Sequence, residues 1–289
     1  MPGTRRPLRT ALLAIVSVAL IFVVWGLIVR VFNVSTFVVP TPLESIQAVQ
    51  QNWSDVWPLT LQTLLETVVG FIAGAVIGFV FAVLMAQWNV VRSLLYPSLI
   101  AGQAVPIVAI AAPLVIILGF GLLPKVVIVA WIVFFPVTVS VIDGLASVDR
   151  DLLNLAKVMG GSQARVFLRI KLPATVSPLF SGLKIGATYA VTGAIIGELV
   201  ASEGESLAGY QRSANGFLNT PLVYGLTIVM TAIGIGWFLL VLGVERLATP
   251  WRTRSVARSW RRRTPQPPQP SRPSPGQVRM DPPTTGGSR

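Results

Sequence analysis

The side chains able to do chemistry in this sequence are few, and most sit alone in apolar surroundings. Gln62, Glu66, Gln103, Thr188, Tyr189, Thr192 and Glu198 are the polar groups set inside long hydrophobic stretches. A buried amide or carboxylate is costly in such a setting unless it faces protein or a water-filled cavity. Gln103, Tyr189, Thr192 and Glu198 are therefore candidates for a path along which a solute crosses. The alternative for Glu66 and Glu198 is a solvated place at the outer surface. The chain has no Cys and no His, which removes disulfides, thiolate nucleophiles, the common zinc and haem sites and Ser-His-Asp catalysis. No metal site is expected, and no catalytic residue. No G-x-x-x-x-G-K-S/T phosphate loop occurs either, so ATP is not held by that route.

The elements that must position these groups are apolar blocks. Of 289 residues 53% are hydrophobic and only 12% charged, with a mean hydropathy of +0.71, where a soluble domain carries roughly 25% charged residues. Blocks of this length predict membrane-spanning helices: Ala11–Val29, then about Leu59–Met85, Tyr96–Leu118, Val126–Ile142, Pro178–Val200 and Pro221–Val244. The expected fold is all-α, with about six spans. The first block follows Arg5, Arg6 and Arg9; it is longer than a signal-peptide core and has no A-x-A-like site after it, so a retained helix is expected. Thr36–Pro58 reads as an external segment with a short helix from about Leu43, and Trp53 and Trp57 suit the headgroup level.

The net charge of +12 is unevenly placed. With the N-terminus in the cytoplasm, 20 of the 23 Lys and Arg fall on cytoplasmic segments and only Arg30, Lys125 and Arg212 outside. This asymmetry predicts both termini inside. Ten of the basic residues follow the last apolar block, without the interleaved aromatics that would stack on bases, so contact with lipid rather than nucleic acid is expected. The organisation reads as an N-terminal segment and first helix (1–35), a five-span core (36–250) and a basic, Pro-rich, disordered cytoplasmic tail (251–289). Gly70, Gly74 and Gly78, and in the fifth span Gly182 and Gly186, form small-residue stripes for close helix packing. Pro97, Pro106 and Pro113 break the third span's backbone near Gln103, as in helices that line cavities.

The most informative stretch is the polar loop 143–175. Within it, Asn154–Pro173 reads as two short amphipathic helices. Gly160 and Gly161 cap the first, and Ser162 starts the second. Leu152, Leu155, Ala156 and Met159 make one apolar face; Val166, Phe167 and Ile170 make another. Such a face in the cytoplasm implies a partner or the protein's own helix ends.

Here the sequence resembles the permease subunits of bacterial ABC importers that work with a binding protein, whose hallmark is the EAA loop. Ala156, Gly160, Ser162, Phe167, Leu172 and Pro173 fall at the family's spacing; Asn154 stands at the Glu position and Leu155 at the first Ala. The resemblance covers roughly residues 40–251. It implies a type I importer-like permease fold, a loop that docks on a separate ATPase subunit carrying ATP and Mg, and no cofactor on this chain. It further implies a periplasmic or lipid-anchored solute-binding protein, a second permease copy as homodimer, and a place in the bacterial inner membrane. A narrower likeness, in Gln103–Ala109, Phe120–Lys125, Ala187–Ala194 and Gly197–Ser202, is to importers of nitrate, sulfonates, taurine and thiamine or riboflavin precursors. Glu66, where many sulfonate-type members carry Arg, points to a pyrimidine, thiamine-precursor or riboflavin-like cargo. A secondary transporter is the rival of another class, but neither inverted repeats nor a line of intramembrane charges is evident.

Overall fold

In a computed structural model of the chain, residues 5–202 and 206–250 are described, and no strand occurs among them. The first helix, α1 (Arg5–Val31), leads by a turn to α2 (Pro42–Gln51) and α3 (Trp53–Gln87). Thr41 and Glu44 close α2 with a reciprocal capping box, and the hydrogen bonds from the Thr41 backbone and hydroxyl hold the Glu44 carboxyl below the usual carboxylate range. Two shorter helices follow, α4 (Asn89–Gln103) and α5 (Ile107–Leu118), then α6 (Leu122–Ala146). The polar loop holds α7 (Arg150–Val158), α8 (Gln163–Val166), a π-helical turn (Phe167–Lys171) and α9 (Leu172–Ala174). The chain ends in α10 (Val176–Ala201), α11 (Leu207–Gly216) and α12 (Thr220–Ala248). The disorder expected of the basic tail lies outside the described residues.

Four helices, α3, α6, α10 and α12, are each long and apolar enough to cross a membrane, and α1 is apolar over Val16–Val31. The expected third span departs from a straight rod. It is α4 and α5, bent by 103° at a short break. The cause is local: Pro106 has no N–H to donate and biases Val105 away from the helical region, and the Ala104 and Val105 amides turn back onto Ala101 and Gly102 instead.

Contacts along the seams show that the bent pair nonetheless carries the chain back across the bundle. A Cβ built on Gly70 would lie 3.0 Å from the Val126 carbonyl, one on Gly74 2.5 Å from that of Ala130, and one on Gly78 2.8 Å from that of Phe134. The numbers rise together, so α3 and α6 run parallel. On α10, Gly182 faces Pro136 and Gly197 faces Lys125, so α10 is antiparallel to α6. Two parallel neighbours cannot be joined by a turn; α4 and α5 must climb from the Gln87 end to the Leu122 end. Val129, Val133, Val137 and Val141 of α6 fill the centre against Phe71, Ala187, Ala190, Ala194 and Trp237.

The close approach of α3 to α6 at Gly74 makes a prediction. Gly74→Val should destabilise the detergent-solubilised protein by about 1–3 kcal/mol through overpacking. Gly236→Val, at a site with nothing within 4 Å of a Cβ, should leave the thermal midpoint near wild type.

Candidate functional site

The break between α4 and α5 opens a cavity of about 370 Å³, within the size range of small-ligand clefts. Gly102, Gln103, Val105 and Ile107 line it from the break, Trp131, Ile132, Phe135 and Pro136 from α6, and Ile185, Tyr189, Thr192 and Ile196 from α10. Gln103, Tyr189 and Thr192 thus meet around one space. None of the lining residues is charged, and three are aromatic. Trp131 and Phe135 pack edge to face, ring centres 5.3 Å apart, which fixes that wall. Thr192 also lines a second opening, about 620 Å³, on the side of α10 that faces α12, with Thr188, Gln211, Thr227 and Thr231.

Glu198, the fourth residue expected on the path, does not line this cavity. It is 1% exposed, accepting a hydrogen bond from the Thr63 hydroxyl at 2.5 Å and another from the Ala208 amide at 2.8 Å. It therefore ties the end of α10 to α3 and to the first turn of α11. Arg212 donates to the Leu199 carbonyl and the Tyr210 hydroxyl to Asn52, so α11 is held on three sides. Burial, and then the nearby Asp55 carboxylate, push the Tyr210 phenol above its ordinary value.

One ionisable group was hidden from sequence reading by its place in a turn. Lys125 belongs to the first turn of α6, 2% exposed, and its Nζ lies 2.8 Å from Glu66 Oε1. Gln62 donates to the same oxygen at 3.2 Å. Glu66 is wholly buried and is not solvated at the outer surface. The signal in the sequence was a lone acid in one span and a lone base at the start of another.

At the other end of the bundle, α7 begins with the Asp149 carboxylate accepting from the Asp151 amide at 2.8 Å. It ends at Gly160, whose φ of +81° is a left-handed cap that favours glycine. The Gly160 amide donates to the Lys157 carbonyl and the Gly161 amide to that of Ala156. Ser162 caps the next helix, accepting from Arg165 N. Leu155 is 57% and Met159 79% exposed, an apolar face with nothing from the described residues upon it, and Asn154 is also exposed. Val166 is buried and Phe167 packs on the core. Leu172 and Pro173 begin the short α9, which leads into α10.

Residues 74–253 match the family model described as "Binding-protein-dependent transport system inner membrane component". The chain is 30% identical to a probable ABC transporter permease protein of Haemophilus influenzae, over 75% of this chain and 89% of that one. It is 28% identical to the formylaminopyrimidine transport permease protein ThiX of Halalkalibacterium halodurans, over 81% and 93%. It is 29% identical to the riboflavin transport system permease protein RibX of Chloroflexus aurantiacus, over 82% and 88%. Permeases named for taurine and for aliphatic sulfonates also match.

The buried ion pair gives the second prediction. Lys125→Met leaves the Glu66 carboxylate buried without its counter-ion and should cost about 3–5 kcal/mol. Adding Glu66→Gln should restore most of that loss, measured as thermal unfolding in detergent. Equal stability of the single and double variants would contradict a direct pairing.

Proposed function

This chain belongs to the family of binding-protein-dependent transport system inner membrane components, and we propose that it forms the path for a neutral, planar heteroaromatic solute of the pyrimidine, thiamine-precursor or riboflavin kind. The observation that carries this reading is the lining of the cavity at the broken helix. Trp131, Phe135 and Tyr189 supply flat apolar walls, Gln103 and Thr192 supply an amide and a hydroxyl, and no cation is present. A sulfonate or nitrate in such a site would be stripped of water with no counter-charge, which is costly. A heteroaromatic ring instead stacks and exchanges hydrogen bonds with an amide. Likeness to the ThiX and RibX permeases supports this cargo class; likeness to the taurine permease supports the alternative.

The chain is a permease of the importer type, a transport component rather than a catalyst. In this reading it binds no cofactor, ATP and Mg being held by the partner ATPase. A solute-binding protein delivers cargo at the Lys125 end, and the termini lie in the cytoplasm. The exposed hydroxyl stripe of Thr188 and Thr192 on α10 and of Thr227 and Thr231 on α12 supports a second copy of the chain packed against that side, with Thr192 shared between this opening and the path. The exposed apolar face of α7, with Asp151, Asn154, Leu155 and Met159 around it, supports docking in the ATPase groove; Gly160 and Gly161 let the chain turn sharply beneath it.

Two measurements test this. In the complex reconstituted with its ATPase and binding protein, Gln103→Leu is expected to lower uptake of a formylaminopyrimidine at least tenfold, the order of one lost hydrogen bond to a buried ligand, while ATP binding to the partner is unchanged. Uptake of taurine but of no pyrimidine or flavin would overturn the cargo class. Gly160→Val, which strains a left-handed position by about 1–2 kcal/mol, should uncouple ATP hydrolysis from transport; survival of both would overturn the docking assignment.

A further inference from the structure

We propose a binding site for the phosphodiester of an anionic phospholipid in the cavity between α7 and the ends of α3 and α6. This cavity, about 240 Å³, is lined by three cations, Arg92, Arg150 and Lys171, over a floor that includes Met85, Ile142 and Leu145. Each cation comes from a different element: Arg92 from the first turn of α4, Arg150 from the start of α7, and Lys171 from the end of the π-helical turn. No carboxylate lines the cavity, and none of the three cations has an acidic partner within 4 Å; the ion pairs among the described residues are Lys125–Glu66 and Lys184–Glu245. The nearby Asp149 carboxylate is turned to its own helix, capping α7 through the Asp151 amide. A second hollow of about 190 Å³ adjoins the first, sharing Ala86, Leu153 and Lys171 and adding Lys157.

The faces of α7 argue for what occupies the space. Arg150, Leu153 and Lys157 recur at helical spacing on the side turned toward the bundle. Leu155, Val158 and Met159, from 57% to 86% exposed, lie on the opposite side. A protein partner that takes the apolar side therefore leaves the cationic side unused. The floor is formed by core residues, with Met85 at 1% exposure and Ile142 at 4%, at the end of spans that cross the apolar layer. A rim of cations above an apolar floor at a membrane surface matches a lipid, charged at its phosphate and apolar just beneath. A free phosphate shares the charge but makes no use of the floor. The site does not depend on which solute is carried.

The test uses the full-length chain, purified in detergent and then exposed to phosphatidylglycerol or phosphatidylcholine, with bound lipid counted by native mass spectrometry. Wild type should retain one more tightly held phosphatidylglycerol per chain than the variant carrying Arg92→Gln, Arg150→Gln and Lys171→Gln, whereas phosphatidylcholine should not distinguish them. Each cation near an anionic lipid surface strengthens binding about fivefold, so the triple variant should bind roughly 100-fold more weakly. The charge-keeping set Arg92→Lys, Arg150→Lys and Lys171→Arg should restore the lipid, which separates loss of charge from misfolding. Arg30→Gln, on a cation in the last turn of α1 and outside the cavity, should change nothing. Equal retention by wild type and the triple glutamine variant would overturn the site. Displacement of the lipid by millimolar inorganic phosphate would assign it to the free anion instead, and displacement on adding the ATPase subunit would assign the cations to the protein interface.

Discussion

A buried pair of opposite charges, Glu66 and Lys125, sets the relative depth of the two most central helices. Neither group can leave its partner without exposing a naked charge to an apolar interior. The first turn of α6 sits beside the fourth turn of α3, and along the parallel run of the two helices the Gly70, Gly74 and Gly78 seam meets Val126, Ala130 and Phe134. Parallel neighbours need a return crossing between them. The chain makes it with α4 and α5, and because proline interrupts that crossing beside Gln103, the return is bent by 103° and leaves a hollow. The cavity lies where that return crossing is broken, between α6 and α10.

Much of this was legible in the sequence because lipid imposes a simple rule on long elements. The apolar blocks give the long helices, though α1, α3 and α4 begin six or seven residues before the blocks do. The four-residue spacing of Gly70, Gly74 and Gly78 gives the seam, and Gly160 followed by Ser162 gives a cap and a restart in the loop. The bend at Pro106 was legible only in part. Proline announces a break, but its angle is decided by what α5 packs against, which is the next helix α6 and also α10, far away in sequence. Gln103, Tyr189 and Thr192 could be picked out as polar groups in apolar surroundings. That Tyr189 and Thr192 share one cavity with Gln103, Trp131 and Phe135, and that Glu198 does not, depends on the rotation of α10 about its axis, which polarity alone does not fix.

Glu198 and Lys125 show where local reading fails. Both lie near the ends of spans, where a charged side chain is usually taken as solvated. Here each is enclosed by a neighbouring element: α11 folds over Glu198 through the Ala208 amide, and α3 covers Lys125. Charges at one end of the bundle therefore hold the helices together. At the other end Arg92, Arg150 and Lys171 surround an open hollow, and the apolar face of α7 is bare. Lys184 and Glu245 pair between α10 and α12 in that same half, but around α7 cations without an acidic partner and bare apolar side chains face outward.

If the hollow at the α4–α5 break lies on the solute's path, and that path opens to one side of the membrane at a time, Thr192 on its wall reports the change. The chain contains no cysteine, so a Thr192→Cys variant carries a single thiol on this chain, and labelling is read on this chain alone. In the assembled complex in sealed vesicles, a membrane-impermeant thiol reagent on one side should label the introduced thiol in the nucleotide-free state and on the opposite side when ATP is trapped on the partner. Labelling that is absent from both sides, or indifferent to nucleotide, would contradict the claim.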